Sequence, residues 1–275
     1  MLRTIIGLFG TQIRGMRNAT AVLLLLPLLH ACLSSPSVDP AIRAALAPKG
    51  ALRVALYVGT PTSVLSREDR RGVGYDLGHA LADRLGVPFE PLIFEKNADV
   101  QDAIKAGNAD AAFTNASPER ARDMDFTQAY LIIPLGYLAS AKTAVRSLSD
   151  VDHAGVRVGV TEKSSSDTTL TRDLKNARIV RVLSLQNGSD ALTTDEMDVY
   201  ATNKATLYEM ATKIPGAHVL DGQWGEERHA LGIPKGRDAA LPFLRAFITD
   251  ALKKKQVDAA MDRAGLRGAS TASVP

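Results

Sequence analysis

The chain has 275 residues, 45% hydrophobic and 5% aromatic, enough to bury one large core or two smaller ones. Its formal charge is +3, but residues 1–31 hold three arginines and no acid, leaving 30 basic against 30 acidic residues. That balance removes the compositional case for nucleic-acid binding. A single cysteine, Cys32, excludes a disulfide framework and a cysteine-rich metal site.

Residues 20–31 are almost wholly apolar and follow Arg14 and Arg17. The run is short for a bilayer span and fits the core of a signal peptide. It ends in Leu29-His30-Ala31-Cys32, a small residue before a lone cysteine, which resembles the lipobox of bacterial lipoproteins. Residues 1–31 are therefore expected to be a lipoprotein signal peptide, with Cys32 acylated as the first mature residue. Residues 32–49, opening with Leu33-Ser-Ser-Pro-Ser-Val-Asp-Pro40, read as a tether, and residues 268–275 as a flexible tail.

Leu52 to Val58 has the content of a strand and runs into the turn Gly59-Thr60-Pro61-Thr62-Ser63. Leu77, Ala80, Leu81 and Leu85 recur at helical spacing before Gly86. Phe89–Phe94 is a second strand, Asp99–Ala106 a second helix, and Ala111–Phe113 a third strand, giving β-α-β-α-β and a mainly parallel sheet. The third strand turns polar at Thr114 and Asn115, and Ser117-Pro118-Glu119 reads as a helix start. Arg120 then lies one turn into that helix, where it either grips a carboxylate or phosphate or pairs in solvent with Glu119 or Asp123. Tyr130 to Leu138 is long, extended and apolar, with Pro134 and Gly136 inside it. It is either a crossing between two lobes or a bulged strand.

The pattern restarts at Gly155-Val-Arg-Val-Gly-Val160, followed by hydroxyls at Ser164, Ser165 and Ser166 beside Lys163. Such a cluster caps a helix or holds an anion. Arg178–Leu183 is the next strand, and Asp198-Val-Tyr-Ala-Thr202-Asn203 leads into a helix at Lys204. This last stretch and Asp110-Ala-Ala-Phe-Thr114-Asn115 both read Asp-x-x-x-Thr-Asn at the same stage of each series. The two Thr-Asn pairs either face each other across a cleft or cap their helices. Strands at Ala217–Leu220 and His229–Pro234, and a helix from Asp238 to Lys254, are expected to return the chain to the first lobe.

The chain resembles the extracellular solute-binding proteins of the polar amino-acid type that serve ABC importers. The likeness rests on Leu52-Arg-Val, Gly74-Tyr-Asp-Leu, Ala106-Gly-Asn-Ala-Asp110, Ser117-Pro-Glu-Arg120, Asp125-Phe126-Thr127, Val156–Val160 and Met197-Asp198. It implies an α/β, two-lobed periplasmic-binding-protein-like type II fold, each lobe a mainly parallel sheet flanked by helices, joined by a two-strand hinge. Residues 50–135 plus 226–267 would form lobe 1 and residues 136–225 lobe 2. Arg120 would hold a ligand carboxylate, with Asn115 near the contacts that precede it and Ser164 and Ser165 at the second-lobe helix start. The family's aspartate for an α-ammonium would fall at Asn203, so the resemblance departs there. With Lys163 and Lys204 near the cleft, a small anionic solute, an organic acid before an amino acid, is expected, and Asn203→Asp should improve amino-acid binding.

The expected cleft positions are Tyr57, Thr60, Thr114, Asn115, Arg120, Ser164, Ser165 and Asn203, none of them acidic, with Glu162 expected in solvent. A dehydratase or murein lyase of the same fold would need a cleft acid of raised pKa, so the chain is expected not to be an enzyme. His79, His153, His218 and His229 show no metal spacing, and no cofactor or metal is expected. The implied partners are a small solute (carboxylate or amino acid), the membrane permease of an ABC transporter and, through Cys32, the membrane. The implied setting is the periplasm, as an anchored lipoprotein and a monomer. An accessory or sensor role on the same fold is the alternative.

Overall fold

The computed structural model describes residues 38–274. The expected signal peptide, Cys32 and residues 33–37 of the expected tether lie outside the described residues.

Residues 40–46, read from sequence as tether, form a helix, α1 (Pro40–Leu46). The Asp39 side chain accepts the Ala41 N–H at 2.8 Å and Pro40 opens the first turn, a standard start. Leu46 is fully buried in the first core, and Arg43 Nε donates to the Leu85 carbonyl at 2.9 Å. The Ser/Pro signal of a tether thus stops at the cap, and the residues beyond it are structural.

Next come β1 (Leu52–Tyr57), α2 (Val73–Leu85), β2 (Phe89–Phe94), α3 (Asn97–Lys105) and β3 (Ala111–Asn115). β1 pairs in parallel with both β2 and β3. Helix α2 buries Val73, Leu77, Leu81 and Leu85, one stripe four residues apart, and closes at Gly86 in the left-handed region. The first N–H groups of α2 are taken by the preceding loop: Val73, Gly74 and Tyr75 donate to the carbonyls of Pro61, Thr62 and Ser63. Gly72 makes that contact possible, since a Cβ there would lie 2.1 Å from the Ser63 oxygen. The Thr60–Ser63 loop is thereby clamped against the helix.

Strand β4 (Met124–Ala139) runs 16 residues and changes partner midway. Up to Leu135 it pairs antiparallel with β9 (Gly225–Pro234); from Leu135 to Ala139 it pairs with β7 (Val199–Asn203). The second lobe contains β5 (Arg157–Thr161), α4 (Ser165–Asp173), β6 (Arg178–Val182), α5 (Leu185–Thr193), β7, α6 (Lys204–Ala211) and the short β8 (His218–Val219), which pairs with β4. The sheet order is β2-β1-β3-β9-β4-β7-β5-β6, so β9 and β4 connect the two parallel halves. Separate apolar clusters fill each half: Leu52, Val54, Leu77, Leu81 and Leu244 in one, Val158, Val160, Leu170 and Val199 in the other.

The chain closes with α7 (Leu241–Lys253), α8 (Gln256–Arg263) and β10 (Ser270–Thr271). The helix read from Asp238 begins as a 3-10 turn, Asp238–Ala240, before α7. Residues expected as a loose tail are partly ordered by pairing. β10 adds to β4 at Ile132 and Leu131, and Ala272 N–H donates to the Tyr130 carbonyl at 3.0 Å.

Candidate functional site

A cavity of about 70 Å³ lies between the two halves, lined by Tyr57, Thr60, Thr114, Arg120, Ser164, Ser165 and Asn203 among others. Its walls come from loops at the carboxyl ends of β1, β3, β5 and β7, the position where open α/β sheets hold ligands.

Arg120 is only 9% exposed. Its Nη1 donates to Thr114 Oγ1 at 2.5 Å and to the Asn115 carbonyl at 3.2 Å, and Nη2 donates to Asn97 Oδ1 at 3.1 Å. No carboxylate lies within ion-pairing distance among the described residues, so the solvent-pairing alternative with Glu119 or Asp123 is not what the side chain does. Among the described residues Nε has no acceptor and Nη2 has only Asn97, which leaves donors for a carboxylate. Burial lowers the guanidinium pKa, and the charges of Glu227 and Glu119 act the other way. The expected helix around Arg120 is a single 3-10 turn, Arg120–Arg122, because the chain enters β4 two residues later. The positive group presented on this wall is therefore the guanidinium and not a helix dipole.

On the second half, Ser164 caps α4 by accepting the Asp167 N–H at 3.0 Å, and Ser165 sits beside it on the cavity wall. Asn203 caps α6, its Oδ1 accepting the Thr206 N–H at 3.0 Å. Thr60 Oγ1 and Thr206 Oγ1 are 2.8 Å apart, and Asn97 and Gln101 donate to the Lys163 carbonyl at 3.2 and 3.1 Å. These bonds run between the two halves, so this is a closed arrangement. The Tyr57 hydroxyl is buried without a partner among the described residues, and burial pushes it up to about 12.

Three expected positions do not line the cavity. Asn115 is buried, but its Oδ1 accepts the Arg228 backbone N–H at 3.1 Å, which ties β3 to β9. Lys163 takes a left-handed backbone (φ 58) that turns its carbonyl across the gap while its side chain stays in solvent. Lys204 opens α6 with its stem against Gly136 of β4. Both lysines therefore contribute less positive charge to the cleft than the sequence suggested.

The larger correction is an acid that the sequence reading did not place in the cleft. Glu227 lines the cavity at 6% exposure. Its Oε1 accepts Ser165 Oγ at 2.5 Å, and its Oε2 accepts Asn203 Nδ2 and His229 Nε2, each at 3.1 Å. Burial alone would raise this carboxyl, but His229, Ser165 and the Arg120 charge hold it down at about 2. Over the first residues of β9 burial alternates: Glu227 and His229 are buried while Glu226 and Arg228 are exposed and pair at 2.8 Å. That period of two was the available signal, hidden because Glu226-Glu227-Arg228 reads as a solvated charged loop. Among the described residues no cluster of acids and histidines has the arrangement of a metal site, and no helix is long and apolar enough to cross a membrane.

Comparison with known proteins agrees with this architecture. The L-cysteine solute receptor of Neisseria gonorrhoeae superposes with a TM-score of 0.71 at 22% identity, over 81% of this chain and 92% of that one. An ancestral amino acid-binding protein, a precursor of cyclohexadienyl dehydratase, superposes with a TM-score of 0.70 at 21% identity, over 80% and 97%. The glutamine-binding protein of Geobacillus stearothermophilus is 26% identical over 121 residues, 42% of this chain and 44% of that protein, so the chain spans less than half of this curated relative. The pattern of the bacterial extracellular solute-binding proteins, family 3, matches residues 52–265, most of the chain, and the chain belongs to that family.

Proposed function

We propose that this chain is the solute-capturing component of an ABC importer, and that its two halves close on a small solute bearing a carboxylate, an organic acid or an amino acid. The observation that carries this reading is Arg120, a buried guanidinium on the cavity wall with no carboxylate partner among the described residues. A buried charge without its pair is costly, so a site built this way gains most from a solute that supplies the missing anion. The relatives support the same class: the similar proteins bind, by their names, L-cysteine, glutamine or amino acids. On this reading Cys32 carries the lipid that holds the protein in the cell envelope, and the permease receives the closed form as a monomer.

Glu227 bears on the enzyme alternative. A dehydratase or lyase would need a protonated acid in the cleft, and a carboxyl held at about 2 is ionised at neutral pH. Binding without chemistry is the better reading.

A thermal-shift and calorimetry panel of L-amino acids and simple carboxylates tests the proposal. A ligand at a hundred times its Kd adds about 2.7 kcal/mol, a rise of roughly 5–10 °C for a domain of this size. Arg120→Ala should abolish the response; an affinity that survives the substitution rejects the proposal. Silence across the panel would move the protein to the accessory or sensor role. The anchor is checked separately, by loss of membrane association in Cys32→Ser.

A further inference from the structure

We infer that Glu227 selects among carboxylates: it accepts the cationic nitrogen of a zwitterionic solute whose carboxylate lies on Arg120, and it disfavours bare organic anions. This rests on the carboxylate reading above and narrows it to one substrate class. It also reverses the preference for a bare anion that followed from finding no acid in the cleft.

Arg120 and Glu227 line one cavity and are not within ion-pairing distance of each other. The space between them is therefore bounded by one positive and one negative group. A solute with both charges leaves the closed cavity balanced. A bare anion would satisfy Arg120 and offset the positive charge that helps hold Glu227, leaving that second carboxylate to His229, Ser165 and Asn203 alone in a dry site. Glu227 is also held ready for a donor. Among the described residues Ser165, Asn203 and His229 occupy three of the roughly four acceptor positions of a carboxylate, and the remaining one is on Oε1. β9 lies between the halves while Ser165 and Asn203 belong to the second, so in this closed arrangement the acid is held from both sides of the hinge.

The same geometry gives Asn203 its reason. Its amide nitrogen donates to Glu227 while its oxygen caps α6. An aspartate could cap but could not donate, and would set a second carboxylate against Glu227. Asn203→Asp should therefore weaken amino-acid binding, contrary to the expectation drawn from sequence.

The test uses matched pairs on the full chain: L-cysteine with 3-mercaptopropionate, and L-glutamine with glutaramate, each titrated by calorimetry at pH 7.5. The wild type should bind one amino acid at least 100-fold more tightly than its partner lacking the amine. Glu227→Gln should lose that selectivity by losing amino-acid affinity about 100-fold, with the des-amino acid unchanged or tighter. The wild-type ratio needs no variant, so misfolding of Glu227→Gln cannot hide the answer. Equal or tighter binding of the des-amino acids would mean that His229 supplies the balancing charge; it overturns this inference and leaves carboxylate capture standing. An unchanged amino-acid affinity in folded Glu227→Gln also overturns it. If no member of either pair binds, carboxylate capture of this size class fails and the inference falls with it.

Discussion

The two halves of the molecule carry the same brace and put the residues beyond it to different uses. In the first, Arg53 donates from its backbone N–H and Nε to Asp110 Oδ2 and from Nη2 to Asp110 Oδ1. In the second, Arg157 makes the same three bonds to Asp198. Each brace fixes the entry of one strand against the start of another, and each leads four residues later to a Thr-Asn pair. There the halves part. Asn115 is spent on backbone bonds that hold β3, β9 and Arg120 together, whereas Asn203 caps a helix and reaches Glu227. A repeated frame can thus keep its structural bonds fixed while the residues just past it diverge toward the ligand.

The braces differ in depth, and this is the largest effect to test. Asp110 is fully buried and also takes Arg237 Nη1 at 2.8 Å, so Asp110→Ala strands two guanidinium groups at once. Breaking a buried pair costs about 3–5 kcal/mol. Urea unfolding should show a loss of that size, and a loss under about 1 kcal/mol would mean that water or relaxation replaces the bonds.

Glu227 sharpens the comparison from the hinge. Its folded pKa of about 2 lies below the ordinary 4.5, so ionised Glu227 contributes stability that is present above about pH 4.5 and is lost as pH falls toward 2. The shift corresponds to about 3 kcal/mol at neutral pH. The difference in unfolding free energy between wild type and Glu227→Gln should be largest near pH 7 and close steadily below pH 4.5. A difference that does not change with pH would show that Glu227 contributes by packing alone.

How much of this was legible in the sequence follows from which interactions are local. The strand at Leu52–Val58, the α2 stripe at Leu77, Leu81 and Leu85, and the repeated Asp-x-x-x-Thr-Asn are periodic or adjacent features, and they carried the two-lobed fold. Arg120 was legible as a cleft position through the Ser-Pro-Glu before it, although the structure gives it a single tight turn. Glu227 was not, because its burial is created by β9 crossing beside β4 and by Ser165 and Asn203 arriving from elsewhere in the chain. Lys163 shows the opposite limit: beside three serines it read as part of a cap or an anion contact, and a left-handed backbone carries its carbonyl across the gap while its side chain stays exposed. Fold is written in local periodicity here, and the charge of the cleft in long-range pairing.

The smallest effect tests the second brace by itself. Asp198 is 17% exposed and Arg157 31%, against 0% and 7% for Asp110 and Arg53. Burial works to raise the Asp198 carboxyl, yet the bonds from Arg157 bring it below the ordinary value, so its ionised form is favoured where it stands. Partial hydration weakens the attraction, and it also lets water take up Arg157 once the acid is gone, with Asp195 still 3.2 Å away as a second partner. Asp198→Ala should therefore cost about 1–2 kcal/mol, well below Asp110→Ala, even though the two aspartates accept the same three bonds. Equal losses in the two variants would mean that the three shared bonds set the energy; unequal losses would assign the difference to burial together with the further bond that Asp110 takes from Arg237.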